Sequence, residues 1–206
     1  MSYKIKKSTK QGQTIQYVSK FILRLIGWKA EGQIPQVPKY VMIGYPHTSN
    51  WDTLLGLLVF KALGVRLNWV GKHTLFKPPL GWLIRALGGI PVDRSDPRDF
   101  VEQMIDVFKT SEELVLTLSP EGTRKKTDHW KTGFYRIAKG AGVPISMAFL
   151  DYSRKTGGFG PLLYPGGDLE KDIKRMQEFY APVRGKFPEL QGEIRVKPKN
   201  DAKAQY

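Results

Sequence analysis

The chain switches between two hydrophobic patterns. Some short runs are apolar throughout and indicate buried strands, whereas the segments between them repeat apolar residues every three to four positions, as helices do. The predicted strands are 39–46, 66–72, 90–93, 113–120 and 143–152. The predicted helices are 14–28, 51–64, 79–89, 97–111, 131–142 and 168–180. Strands that alternate with helices are typical of an α/β fold, so we expect a mostly parallel central sheet flanked by helices.

The first predicted helix is amphipathic. It places apolar residues such as Phe21 on one side, and Lys20 and Arg24 across from them. Such a helix can pack on the domain or lie on a membrane surface, and the pattern leaves both open. We predict a single domain over 1–206, with residues 1–30 as a basic, amphipathic, membrane-facing segment.

Composition narrows the classes of function. The chain has 206 residues, a net charge of +14 and no cysteine. The charge favours anionic partners, whether nucleic acid, anionic lipid or phosphorylated ligands, but does not choose among them. The lack of cysteine excludes disulfides, thiolate metal sites and a cysteine nucleophile. No apolar stretch reaches the roughly 20 residues of a spanning helix, and no signal-peptide cleavage site follows the basic start. We therefore predict neither a transmembrane helix nor a signal peptide.

Candidate chemistry begins in "YPHTSNWDTL", residues 45–54, directly after a predicted strand. If the chain bends before the helix starts, the Asp52 carboxylate can reach back to His47, fix its tautomer and leave the other ring nitrogen as a base. "SNWD" also resembles a capping box, in which Asp52 would only bond to the backbone. This stretch alone does not decide between the two.

Two further strand ends carry arginine beside glycine. "SPEGTRKK" follows the strand 113–120, and there Gly122 allows close backbone approach to a ligand while Arg124 supplies a forked cation. "GGIPVDRS" ends another strand with Asp93 and Arg94. Taken alone, each of these two stretches is also explained by a simple turn or a surface ion pair. Together with His47 and Asp52 they indicate a phosphate-holding site for acyl or phosphoryl transfer.

These motifs resemble the glycerolipid acyltransferases of the lysophosphatidic acid acyltransferase type. "HTSNWD" matches the family's His-x4-Asp block, "GGIPVDRS" its Asp-Arg block, "PEGTR" its Pro-Glu-Gly-Thr-Arg block and "GVPISM" its Val-Pro-Ile block, in family order. The departures are Pro46 where many members have asparagine, Val92 and Ser119 where aromatics are common, and Ser146-Met147 where block four usually closes with proline. We expect these departures to affect acceptor and acyl-chain preference more than the chemistry.

The resemblance implies roles for specific residues. His47 would be the general base on an acceptor hydroxyl, and Asp52 would orient it. The acceptor phosphate would lie near a set of matching positions: Arg94, Glu121, Gly122, Thr123 and Arg124. Lys72, after a predicted strand, is a weaker candidate for the same phosphate. No metal site and no cofactor are expected, and we interpret His73 and His129 as structural or surface residues.

The resemblance also implies the substrates. The donor would be acyl-CoA or acyl-carrier protein, and the acceptor a lysophospholipid such as 1-acylglycerol 3-phosphate. We expect peripheral association with an anionic membrane surface, at the cytoplasmic face, and no nucleic-acid partner. Two alternatives stay open: the same chemistry on another acceptor such as a lyso-aminolipid, and a basic module that binds membranes or nucleic acid without catalysis. Phosphoryl transfer is disfavoured, because the chain has no phosphate-binding loop of the Gly-x4-Gly-Lys type.

Overall fold

A computed structural model describes residues 10–79, 81–86, 88–92 and 100–197. In this part of the chain, five strands form the main sheet in the order β1-β7-β6-β2-β5. The strands are β1 Lys29–Glu31, β2 Lys39–Gly44, β3 Trp69–Lys72, β4 Gly89–Val92, β5 Leu114–Leu118, β6 Ile145–Asp151 and β7 Thr156–Leu163. The helices are α1 Lys10–Leu25, α2 Trp51–Leu63, α3 Gly81–Ala86, α4 Phe100–Thr110, α5 Gly133–Ala141 and α6 Leu169–Tyr180.

The predicted α/β class and the mostly parallel sheet are confirmed. β2 pairs in parallel with β5 on one side and with β6 on the other, and β7 alone runs antiparallel to its neighbour β6 among the described strands of the main sheet. β3 and β4 form a parallel pair of their own, and a bridge between Asn68 and Leu116 joins this pair to the edge of β5. The predicted strands and helices all occur, with ends that shift by a few residues.

Two strands were missed by the sequence prediction. β7 contains Gly157, Gly158 and Gly160, residues that strands usually avoid. The structure explains the glycine at 158, since a Cβ there would lie 1.8 Å from the Glu31 carbonyl oxygen of β1. β1 has only 3 residues, too few for a periodic signal. The N-terminal helix also ends earlier than predicted, at Leu25, because Gly27 turns the chain at a φ of 73°.

Helices cover both faces of the main sheet, which is why β2 carries four consecutive buried residues, Tyr40 to Ile43. Val41 and Ile43 point into a core shared with α4, α5 and α6. Tyr40 and Met42 point into a second core shared with α1 and α2. The two layers fix the sheet in place and leave its strand ends as the positions where loops can form a site.

The carboxyl ends of β2, β5 and β6 lie side by side, because these three strands are parallel and adjacent. The chain continues from β2 into Tyr45, Pro46 and His47, from β5 into Ser119, Pro120 and Glu121, and from β6 into Tyr152. Three segments that are far apart in sequence therefore meet at one edge of the sheet.

Candidate active site

His47 and Asp52 are in contact at this edge. The His47 Nδ1 atom lies 3.2 Å from the Asp52 Oδ2 atom. A carboxylate only accepts hydrogen bonds, so the neutral ring carries its proton on Nδ1 and leaves Nε2 unprotonated. The His47 side chain is 22% exposed and the Asp52 side chain 5% exposed. The ring thus combines a buried, anchored edge with access to solvent.

The same carboxylate also caps α2. The Asp52 Oδ2 atom accepts hydrogen bonds from the backbone N–H groups of Thr48 and Ser49, both at 2.8 Å. The Ser49 hydroxyl in turn accepts from the Trp51 N–H at 3.1 Å, so the arrangement resembles a capping box. The contact with His47 and the contacts with the backbone therefore occur together. The cap bends the chain so that His47 and Asp52, which would diverge on a continuous helix, face one another.

Tyr152 holds the other oxygen of Asp52. Its hydroxyl donates to Asp52 Oδ1 at 2.7 Å. Burial raises the pKa of Asp52, but the hydrogen bonds from His47, Tyr152, Ser49 and Thr48 outweigh it and leave the pKa below its ordinary value. Burial and the neighbouring carboxylate raise the pKa of Tyr152, so the phenol stays a donor. No sequence motif marked Tyr152, and its position directly after β6 was the only available signal.

Glu121 positions the main chain of His47. One carboxylate oxygen accepts from the His47 N–H at 2.8 Å, and the other accepts from the Gly192 N–H at 3.3 Å. The residue is 2% exposed. Burial raises the pKa of Glu121, although the hydrogen bonds from the His47 and Gly192 N–H groups work in the opposite direction. The substrate-binding role predicted for Glu121 stays a prediction, whereas its contacts in the structure are those of a residue that holds the loops together.

The last three residues of "PEGTR" are exposed. Gly122 has a φ of 65°, and a Cβ there would lie 3.1 Å from the Lys131 side chain, so the two residues are close neighbours. Arg124 is exposed and makes no ion pair with any residue that the structure describes. The Thr123 hydroxyl accepts from the Lys125 N–H at 3.2 Å. The loop therefore presents cations on the same segment whose Glu121 touches His47, and Lys131 is a cation that the motifs did not indicate.

Two predicted residues cannot be compared with the structure. Arg94 lies outside the described residues, and so does Asp93. Lys72 ends β3, but its side chain is not among those described. The described residues contain no cluster of three or more His, Asp or Glu side chains able to hold a metal. His129 pairs with the exposed Asp128, while His73 begins a short 3-10 turn.

The segment after α6 closes the back of the site. The Phe187 N–H donates to the Thr48 hydroxyl at 3.2 Å, and the Tyr45 hydroxyl donates to the Gly192 carbonyl oxygen at 2.8 Å. The Tyr152 N–H donates to the Arg184 carbonyl oxygen at 2.9 Å. Residues 184–192 thus contact all three loops, although they carry no motif that sequence reasoning could use.

The arrangement can perform base catalysis. An ionised carboxylate fixes Nδ1–H of the imidazole, and Nε2 has no hydrogen-bond partner among the described residues. Such a nitrogen can take a proton from a hydroxyl placed against it, and the buried carboxylate stabilises the resulting imidazolium.

Comparisons with known proteins fit this geometry. The chain is 32% identical over 108 residues to 1-acyl-sn-glycerol-3-phosphate acyltransferase BAT2, chloroplastic, of Brassica napus, a match that covers 48% of this chain and 30% of that protein. It is 28% identical over 154 residues to the 1-acyl-sn-glycerol-3-phosphate acyltransferase of Streptococcus pneumoniae, covering 69% of this chain and 57% of that protein. The chain thus matches less than two thirds of the length of either relative.

A solved structure has the same fold. The crystal structure of the 1-acyl-sn-glycerophosphate acyltransferase PlsC from Thermotoga maritima superposes with a TM-score of 0.59 at 17% identity, over 95% of this chain and 80% of that one. The Acyltransferase family model matches residues 29–148, a range that holds β1 to the middle of β6 and includes His47, Asp52 and Glu121. With more than half of its length in that match, the chain belongs to the Acyltransferase family.

Proposed function

We propose that the chain transfers a fatty acyl group from acyl-CoA or acyl-carrier protein to the free hydroxyl of a lysophospholipid, with 1-acylglycerol 3-phosphate as the acceptor. The observation that carries this proposal is the partly exposed His47 ring, held by the buried Asp52 at 3.2 Å. Family membership supports acyl transfer, and the activity for which the relatives are named supports this acceptor.

His47 acts as general base in the proposed reaction. Its Nε2 takes the proton of the acceptor hydroxyl while the hydroxyl oxygen attacks the thioester carbonyl carbon. The tetrahedral intermediate collapses by breaking the carbon–sulfur bond, and the imidazolium returns the proton to the departing thiolate. The products are an ester and a free thiol, and no acyl-enzyme forms. Asp52 stays ionised throughout and holds Nδ1–H.

The acceptor phosphate binds at the cationic side of the site. Arg124 supports this placement, because it is exposed, without an ion-pair partner among the described residues, and only three positions after Glu121. An arginine can grip a phosphate through two parallel hydrogen bonds. Lys131, beside Gly122, adds a second positive charge to the same loop.

An exposed apolar surface lies next to the site, and we propose that it faces the membrane. α1 exposes Phe21 and Leu25, and α2, which packs along α1, exposes Trp51 and Leu54. Trp51 follows His47 by four positions, so the apolar surface reaches the border of the site. None of the helices that the structure describes is long and apolar enough to span a bilayer. Peripheral contact through α1 and α2 would bring a lipid acceptor to His47 without a spanning helix.

Thiol release from acyl-CoA, measured with a panel of lysophospholipids, tests the proposal. Turnover should require an acceptor, and lysophosphatidic acid should be used best. His47→Ala should lower kcat by about 100- to 10,000-fold, the range for loss of a general base. His129→Ala, at a half-buried histidine paired with Asp128, is the matched control and should keep full activity. An unchanged rate in His47→Ala would exclude the mechanism.

The acceptor panel separates the phosphate acceptor from other lyso-lipids. Arg124→Ala should raise KM for lysophosphatidic acid about tenfold or more, since a charged hydrogen bond to phosphate is lost, and should change kcat less. If a lyso-aminolipid turns over while lysophosphatidic acid does not, the chemistry stands and the proposed acceptor is wrong.

A further inference from the structure

A cavity of about 540 Å³ lies between α1 and the rest of the domain. Its apolar wall comes from Leu23, Trp28 and Ala62, which are buried. Three basic residues also line it, Lys20 and Arg24 from α1 and Lys29 from β1, and the rest of the lining is uncharged. The cavity is separate from the cationic loop at Gly122–Arg124, and the acyl-transfer mechanism does not use it.

The positive charges around this cavity are not neutralised. No acidic residue lines the cavity, and Lys20, Arg24 and Lys29 form no ion pair with any described residue. The Lys155 side chain adds a fourth charge, since its Nζ lies 3.9 Å from the point where a Cβ on Gly27 would stand. Glu31, the acid of β1, lies 3.5 Å from Arg154 instead. Clustered like charges repel each other, so the cavity favours a bound anion.

The position of the cavity on α1 indicates where that anion comes from. α1 buries Ser19 and Leu23 against the domain, and the half-buried Gln16 donates a hydrogen bond to the Ala62 carbonyl oxygen of α2. The apolar side chains of Phe21 and Leu25 are exposed. Lys20 and Arg24 are one helical turn apart, and helical spacing places them at the border between the buried face and the exposed apolar face. On a helix that lies in a membrane interface, this border is at the level of the lipid headgroups.

We propose that this cavity binds the phosphate-bearing headgroup of an anionic phospholipid, with its acyl chains along the exposed apolar face of α1. The inference deepens the membrane contact that forms part of the proposed function and rests on it. It assigns a second lipid site, apart from the site at which the acceptor reacts. Trp28 connects the two sites physically, because its ring packs edge-on against Tyr152 at 5.0 Å and Tyr152 holds Asp52.

Vesicle binding of the full chain tests the proposal. The pocket variant carries Lys20→Gln, Arg24→Gln and Lys29→Gln. The matched control carries Lys139→Gln, Lys171→Gln and Lys174→Gln, three exposed lysines without a described ion pair, and so has the same net charge. On phosphatidylcholine vesicles that contain phosphatidylglycerol, the pocket variant should bind about 100-fold more weakly than the unchanged protein, and the control less than about threefold more weakly.

Soluble probes separate the possible sources of the anion. Monomeric short-chain phosphatidylglycerol should bind the unchanged protein saturably and should not saturate the pocket variant. CoA and inorganic phosphate should bind both proteins equally. If CoA or phosphate binding is lost in the pocket variant while vesicle binding stays, the cavity holds a soluble anion and the lipid proposal is wrong. An equal loss of vesicle binding in the pocket variant and the control would also overturn it, since net charge would then be the cause.

Two measurements keep these outcomes interpretable. Thermal unfolding shows whether the pocket variant folds, and a variant with Lys20→Arg and Lys29→Arg, which keeps the charge, should keep vesicle binding. Thioester turnover of the unchanged protein with a soluble acceptor is measured separately. Failure of that turnover would count against the proposed function, whereas the vesicle result does not depend on turnover.

Discussion

Asp52 receives four hydrogen bonds, and together they decide its protonation. His47, Thr48 and Ser49 donate to Oδ2, and Tyr152 donates to Oδ1. They hold the pKa of Asp52 below its ordinary value in spite of burial. A depressed pKa means that the ionised form stabilises the fold above the unfolded pKa of about 3.9, and that this contribution is lost as the pH falls through the folded pKa. The carboxylate that orients His47 is therefore charged at neutral pH.

Tyr152→Phe should raise the pKa of Asp52 and leave the His47 side chain itself unchanged. The variant loses the 2.7 Å hydrogen bond to Oδ1 and one of the causes that lower the pKa of Asp52. We expect the acid limb of the kcat–pH profile to move to higher pH, kcat to fall about tenfold, and KM to change little, because Tyr152 acts through Asp52. The loss in unfolding free energy should be about 1–2 kcal/mol. Steady-state rates between about pH 3 and pH 8 measure the shift.

Tyr135→Phe is a matched control for that change. Its hydroxyl donates to a different buried carboxylate, Asp172, at 2.8 Å, and burial raises the pKa of Tyr135 to about 12. A similar loss of stability is expected, with an unchanged pH profile. If both variants alter stability alike and neither shifts the acid limb, Tyr152 supports the fold and does not position the site.

The sequence could indicate His47, Asp52 and Glu121, because each belongs to a short motif after a strand. It could not show that Asp52 both caps the helix and holds the ring, since local spacing presents these as alternatives. Tyr152 could not be predicted for another reason. Its contact with Asp52 joins residues 100 positions apart and depends on β6 lying beside β2.

At the scale of elements, the site depends on three parallel strands and one return segment. β2, β5 and β6 bring their following loops to one edge, and residues 184–192 hold those loops from behind. The alternation of strands and helices was enough to predict the parallel sheet. The return segment and β7 were not predictable, because one has no periodic pattern and the other is rich in glycine.

Gly185→Ala should show whether the return segment sets the geometry of the site. A Cβ at this position would lie 2.9 Å from the Thr48 hydroxyl and 3.1 Å from the Pro46 ring, on either side of His47. We expect a loss of about 1–3 kcal/mol in unfolding free energy and a fall of about tenfold in kcat, because the segment must move away from the His47 loop. Thermal unfolding and steady-state kinetics measure the two effects.

Gly166→Ala provides the comparison for that substitution. Nothing lies within 4 Å of the Cβ that it would add, so stability and kcat should both stay close to those of the unchanged protein. An unchanged kcat in a Gly185→Ala variant that has lost stability would show that the segment supports the fold alone.

At the scale of the whole molecule, charge and exposed apolar area occur together. The net charge is +14, and the apolar side chains that remain exposed include a group on α1 and α2. On α1, the polar Gln16 and Ser19 face the domain beside Leu23, while the apolar Phe21 and Leu25 face outward. The sequence predicted an amphipathic helix but not which of its faces the domain would cover, because that depends on the packing of α1 along α2.

Substitution of the outward residues should separate membrane contact from folding. Phe21 is 62% exposed and Leu25 is 70% exposed, whereas Leu23 between them is 2% exposed. Phe21→Ser with Leu25→Ser removes apolar area that only a partner can bury, so vesicle affinity should fall by about 2 kcal/mol, roughly 30-fold, with thermal stability unchanged. Leu23→Ala should instead cost about 2–5 kcal/mol of unfolding free energy. Tyr164→Ser, at an exposed aromatic on the loop after β7, should leave vesicle binding intact. If the double variant loses stability while its vesicle affinity stays the same, the outer face of α1 packs against protein and not against lipid.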